Sequence, residues 1–144
     1  MLKIFDSHFH IFDPAFPLIA NQSYLPPEFK VKDYLKEMSH LNIVGGAVVS
    51  ASFQGNDLSY LIAALKKLGP AFVGVAELQC SVSDDKIMHL HSLGVRAVRF
   101  NFKRTGIKCI KELEEFAQRI FKIAAWHVEL YIDSIDLPDL YPTL

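Results

Sequence analysis

The sequence predicts an α/β fold built on a parallel sheet, and three observations carry that prediction. Five short apolar segments alternate strictly with helix-patterned segments along 144 residues. The apolar segments are near-continuous rather than polar on one side, as strands buried on both faces are. Glycine and proline punctuate the junctions, so each segment is too short to be anything but one strand or one helix. At 51% hydrophobic and 22% charged the chain is one domain over residues 1–144, large enough to bury a core.

The elements follow in order. Leu2-Lys3-Ile4-Phe5 opens a strand that runs into Asp6-Ser7-His8-Phe9-His10. The next stretch holds Asp13-Pro14, Pro17, Asn21-Gln22-Ser23 and Pro26-Pro27, which exclude helix and central strand. It is long for a plain connection and is a candidate site loop. Val31, Tyr34, Leu35, Met38 and Leu41 keep helical spacing, and Gly45-Gly46 then introduces the strand Ala47-Val48-Val49. Leu58, Leu61, Ile62, Leu65 and Leu68 form a second helical stripe, stopped by Gly69-Pro70 before the strand Phe72–Ala76. Ser83-Asp84-Asp85 starts a third helix with Ile87, Leu90 and Leu93 on one face, and Gly94 ends it ahead of the strand Val95–Asn101. Ile110, Leu113, Phe116, Ala117, Ile120, Phe121 and Ala124 mark the longest helix, followed by a fifth strand over His127–Asp133. Such alternation gives right-handed crossover units, either in an open doubly wound sheet or in part of an eight-stranded barrel. Function sits at the carboxyl ends of the strands in both.

Composition removes several classes of function. A net charge of -1 with no block of Lys or Arg excludes an electrostatic footprint for nucleic acid. No run approaches the ~18 apolar residues of a membrane span, and Asp6 arrives too early for a signal-peptide core, so no membrane partner and a cytoplasmic location are expected. Cys80 and Cys109 lack metal or redox spacing and are expected to be small core residues. No Gly-x-Gly-x-x-Gly follows the first strand and no Walker loop is present, which demotes nucleotide binding.

Polar residues collect where a site should be. Strand alternation puts Asp6, His8 and His10 on one face and Phe9 and Ile11 on the other. Neutral imidazoles so spaced suit a metal ion or a substrate oxygen, although a His-x-His arises by chance in about one chain in four of this composition. On the same face, alternate positions give Val48, Ser50 and Ser52, then Val95, Ala97, Arg99 and Asn101, then Glu129, Tyr131 and Asp133. Apolar residues at the bottom and polar ones at the carboxyl end are the pattern of a barrel floor beneath a site. Glu77 is a candidate further member. Each has a plainer reading too: buried structural histidines, an ion pair of Arg99 with Glu129 or Glu77, small sheet serines, a core tyrosine. His40, His89, His91 and His127 are expected to be solvated or structural.

The run Asp6–Pro14, then Gly46-Ala47-Val48-Val49 with Ser52, Phe72–Ala76, Gly94–Asn101 and Trp126–Asp133 resembles the amidohydrolase-2 family, in its 2-pyrone-4,6-dicarboxylate lactonase-like branch. The resemblance runs in order over the whole chain. It implies a partial (β/α)₈ TIM barrel with five parallel strands and four to five helices. It also implies a hydrolase of a small carboxylated lactone or related acid. His8 and His10 match the family's first-strand histidines, which hold a divalent metal such as zinc or, in the lactonase branch, act on the substrate carbonyl without one. Ser52, Arg99 and Tyr131 match substrate-contacting positions, and Arg104 matches a second carboxylate-binding arginine.

Two family features, a sixth-strand histidine and an eighth-strand aspartate, have no counterpart here. A full barrel takes ~250 residues, so the expectation is a piece of that barrel with poor hydrolysis on its own. Two alternatives follow: a non-catalytic, carboxylate-binding half-barrel, and a decarboxylase of the same family. Ile4, Val48, Val75, Val95 and Ala97 form the expected barrel interior. Left uncovered, with unpaired strand edges, they predict a homo-oligomer, face to face or edge to edge.

Overall fold

The computed structural model describes residues 2–21, 23–105 and 110–141, so Cys109 lies outside the described residues. Five strands, β1 (Ile4–Phe9), β2 (Ile43–Val49), β3 (Phe72–Ala76), β4 (Val95–Phe100) and β5 (His127–Leu130), form one sheet in sequence order, every pair parallel. Four helices span the crossovers: α1 (Val31–Glu37), α2 (Ser59–Leu68), α3 (Asp84–Ser92) and α5 (Ile110–Ala124). Two single turns, α4 (Phe102–Thr105) and α6 (Leu137–Leu140), lie after β4 and β5.

The helix boundaries have local causes. The Ser83 hydroxyl caps α3 by accepting the Lys86 N–H at 3.3 Å, and the Asp33 carboxylate in the first turn of α1 accepts the Lys30 N–H at 2.9 Å. Gly69 (φ 86°) and Gly94 (φ 101°) end α2 and α3 in the left-handed region, which a side chain would disfavour.

All four long helices pack on one face of the sheet. Their residues Tyr34, Leu61, Leu65, Ile87, Leu90, Phe116 and Ile120 close over Phe9, Val48, Ala76, Val95 and Val98. The opposite face carries a separate small cluster, Ala47, Val49, Val75 and Ala97, with Val73 beside it and no helix. One-sided coverage rules out the doubly wound alternative, which places helices on both faces. Curvature agrees. Four strand spacings of ~4.8 Å would separate β1 from β5 by ~19 Å in a flat sheet, yet the His8 and Glu129 side chains meet at 4.0 Å. The strands bend into part of a barrel, with those two side chains pointing inward from opposite walls.

The strand alternation needs three corrections. The register slips between Asp6 and Phe9, so three steps along β1 match two along β2. A bulge of this kind reverses the side-chain phase. Asp6 therefore faces the helices and accepts the Tyr34 hydroxyl at 3.0 Å, while His8 and His10 remain together. On β2 the inner residues are Ala47 and Val49. Val48 and Ser50 point outward, where the Tyr60 hydroxyl donates to the Ser50 hydroxyl at 2.8 Å. A second slip between β3 and β4 puts Val95 outside and Ala97 inside.

Gly45 and Gly46 lie within β2, not ahead of it. A Cβ on Gly46 would stand 2.7 Å from the Asp6 carbonyl oxygen, so this glycine permits the close approach of β1 at its bulge. Nor is the interior uncovered. Val49 and Ala97 have no exposed surface and Val75 only 2%, because the curved wall and its inward polar side chains already enclose these small residues.

Candidate active site

The carboxyl ends of the strands bring together most of the residues that the sequence singles out. His8 and His10 leave β1 with ring centroids 5.0 Å apart and planes at 81°. The His10 Nδ1 lies 2.7 Å from the Val49 carbonyl oxygen, an acceptor only, so the ring proton sits on Nδ1 and Nε2 keeps its lone pair. Burial above all, with smaller contributions from the His8 and Arg99 charges, lowers the His10 pKa, against the backbone hydrogen bond that raises it. Its neutral form is thus the working form at neutral pH. A neutral imidazole with Nε2 unprotonated accepts a proton; it cannot donate to a substrate carbonyl.

Arg99, buried to 9% exposure, reaches across the inner wall from β4, where its Nη1 donates to the Ser50 carbonyl at 2.9 Å. Its guanidinium carbon lies 5.1 Å from the centre of the Tyr131 ring, a cation–π contact that fixes both groups. This backbone bond anchors a guanidinium whose five-donor fork is of the kind suited to carboxylates. Tyr131 follows β5 directly, held by its N–H on the Phe100 carbonyl at 2.8 Å and by its own carbonyl on the Lys103 N–H at 3.0 Å. Glu129 has the two histidines His8 (4.0 Å) and His127 (3.6 Å) within ion-pair distance.

Three further sequence candidates follow the strands. Ser52 lies in the turn after β2, where its hydroxyl accepts the Asn21 side-chain N–H at 3.4 Å. Glu77 is half-buried just beyond β3. Arg104 belongs to α4, and its side chain lies outside the described residues. The long loop after β1 folds over this end: Phe12 and Phe29 pair in an antiparallel bridge, the Ile19 N–H donates to the Phe53 carbonyl at 2.7 Å, and Tyr24 packs on Phe53.

Sequence reasoning missed one residue. The buried Gln54 joins the ends of β1 and β2, its amide nitrogen donating to the Ile11 carbonyl at 2.9 Å and its oxygen accepting the Ala51 N–H at 3.0 Å; a glutamine in a polar turn gives no signal of this. His127, expected to be solvated or structural, is exposed and lies 3.6 Å from Glu129. Its pairing with Glu129 follows from the i, i+2 spacing of a strand, the same signal that marked the first-strand pair.

The metal expectation meets a shortage of donors. Among the described residues no group of three or more His, Cys, Asp or Glu could hold a metal ion, while zinc sites take at least three protein ligands. His8 and His10 alone do not make one.

Comparison with known proteins gives the family. A family model described as amidohydrolase matches residues 5–141. The chain is 36% identical over 140 residues to the 2-pyrone-4,6-dicarboxylate hydrolase of Comamonas testosteroni, covering 94% of this chain and 46% of that protein. It is 32% identical over 99 residues to the 4-sulfomuconolactone hydrolase of Rhizobium radiobacter, covering 67% of this chain and 33% of that one. Among solved structures, a probable 2-pyrone-4,6-dicarboxylic acid hydrolase of Acinetobacter baumannii with citric acid bound superposes with a TM-score of 0.84 at 22% identity, over 96% of this chain and 52% of the other. A candidate 2-pyrone-4,6-dicarboxylic acid hydrolase of Pseudomonas putida gives 0.79 at 29% identity, over 96% and 52%. The chain spans between a third and a half of the length of these curated relatives. Five parallel strands with four long helices on one face are thus a partial TIM barrel, and the match over residues 5–141 places the chain in the amidohydrolase-2 family.

Proposed function

We propose that this chain forms the substrate-binding wall of a hydrolase acting on a small carboxylated lactone. The observation that carries the proposal is the pairing of a buried Arg99 with Tyr131 on the inner wall that also holds the histidine pair. Arg99 would take a substrate carboxylate in its fork, and the Tyr131 hydroxyl would donate to the lactone carbonyl, stabilising the oxyanion that forms on attack. His10 Nε2 would take the proton of the attacking water, in keeping with its neutral tautomer. Water adds to the carbonyl carbon, the ring C–O bond breaks, and the products are a carboxylate and a hydroxyl group. Kinship with hydrolases of 2-pyrone-4,6-dicarboxylate and 4-sulfomuconolactone, both anionic lactones, supports this substrate class.

The test is calorimetric titration with 2-pyrone-4,6-dicarboxylate, with hydrolysis followed by loss of the conjugated-ring absorbance. Arg99→Met removes a charge-assisted hydrogen-bond donor of ~1.5–3 kcal/mol, so the dicarboxylate should bind about 10- to 100-fold more weakly. Equal affinity in wild type and variant would overturn the assignment. A second reading, carboxylate binding without turnover, draws on the chain's covering only 46% of its pyrone-hydrolase relative; Arg99-dependent binding with no absorbance loss would select it.

A further inference from the structure

Glu129 stands where the curved sheet brings its two edges together. The β4–β5 register sets it beside Arg99, on the inner face, with its side chain 28% exposed. Its Oε2 faces His8 Nδ1 from the opposite wall at 4.0 Å, and its Oε1 faces His127 Nε2 at 3.6 Å. The first distance is an ion-pair contact about 1 Å longer than a hydrogen bond.

We propose that a side-chain shift closes the distance to His8 and that Glu129 is a positioning residue, which holds that ring in the tautomer with its proton on Nδ1. A carboxylate accepts and does not donate, so the nitrogen facing Glu129 must carry the hydrogen, and Nε2 keeps its lone pair. His10 reaches the same state by a different route, through the Val49 carbonyl. The two rings, 5.0 Å apart, then each keep an Nε2 lone pair. Water alone favours the other tautomer of imidazole, so the arrangement at His8 requires a partner, and Glu129 is the acidic residue placed to be it. The consequence rests on the hydrolase reading above: the pair serves as proton acceptors for water, and polarisation of the carbonyl falls to Tyr131 and Arg99. The tautomer itself does not depend on that reading.

Long-range proton–nitrogen NMR of the imidazoles, on the full chain at pH 8, tests this without any substrate. That pH is well above the ordinary imidazole pKa of about 6.5. The expected wild-type result is a pyrrole-type Nδ1 and a pyridine-type Nε2 at both His8 and His10. Glu129→Ala should exchange the two nitrogen types at His8 and leave those of His10 unchanged. His127→Ala, which removes the competing ring from the same carboxylate, should leave His8 as it is. A wild-type His8 with its proton on Nε2 overturns the proposal, and that arm needs no variant to fold; so does a His8 spectrum unaltered by Glu129→Ala. Loss of Arg99-dependent binding would instead count against the hydrolase reading, with the tautomer result standing.

Discussion

His10 shows how a single residue ties stability to the site. Burial lowers its pKa below 6.5, so at pH values between the folded and unfolded values the unfolded chain holds a proton that the folded chain lacks. Stability therefore rises with pH across that window, is complete above about 6.5, and is lost as pH falls through the folded value. Urea midpoints should fall between pH 7 and pH 5, and the slope should be shallower in His10→Gln, which cannot titrate; equal slopes would remove His10 from the account. At this scale the sequence was informative where chemistry is rare. The histidine pair, a strand-end arginine and a tyrosine two residues beyond a glutamate are uncommon side chains in apolar runs; the two histidines pack on each other and the arginine on the tyrosine. Ser50 is the small sheet residue that its plainer reading describes, but its face was not legible, because the bulge at Asp6–Phe9 and the outward phase of β2 follow from backbone pairing, which alternation along an isolated strand does not contain.

Among the elements, α5 adds to its apolar packing one polar attachment near the carboxyl end of the sheet, through Arg119. Arg119 donates from Nη1 to the Cys80 carbonyl at 3.0 Å, from Nη2 to the Val82 carbonyl, and from Nε and Nη2 to the Asp84 carboxylate at 2.8 and 2.6 Å. The helix is thereby fastened to the β3–α3 connection. Asp84 is 65% exposed, so its ion pair is screened, whereas the two carbonyls are part-buried. Removal of the donors should therefore matter more than removal of the charge. Arg119→Ala is expected to lower unfolding stability by about 1–3 kcal/mol, and Asp84→Asn by less than about 1 kcal/mol, including its helix-dipole contribution. Chemical denaturation of both variants checks the order, and a larger loss in Asp84→Asn would reverse the interpretation. The helices themselves were legible: predicted stripes at Ile87 and Leu90, and at Phe116 and Ile120, are buried, and Ser83, Gly69 and Gly94 bound helices as their chemistry requires. The single turn α4 was not, because four residues carry no period.

For the whole molecule, the decisive property is curvature with helices on one side. Sequence alternation could not separate an open sheet from a barrel, since both write the same strand–helix order; the inward meeting of His8 and Glu129 is a property of the assembled sheet. That curvature also bears on self-association. Face-to-face pairing of two half-barrels would bury little new apolar surface, because Ala47, Val49, Val75 and Ala97 are already between 0% and 6% exposed. The edges are different. β1 and β5 end the described sheet, each with a row of backbone groups facing no strand, and the β1 edge adds the exposed Phe5, with the exposed Leu2 just ahead of the strand. Unpaired edges with exposed apolar side chains are templates for another chain. Edge-to-edge association of the 144-residue chain is therefore expected, seen as a sedimentation coefficient that rises with concentration in the micromolar range. Phe5→Lys places a charge on the β1 edge at a side chain already 54% exposed, so it should suppress the rise while changing the unfolding midpoint little. A monomer at all concentrations, or association that Phe5→Lys leaves intact, would show that the β1 edge is not the surface through which copies of this chain meet.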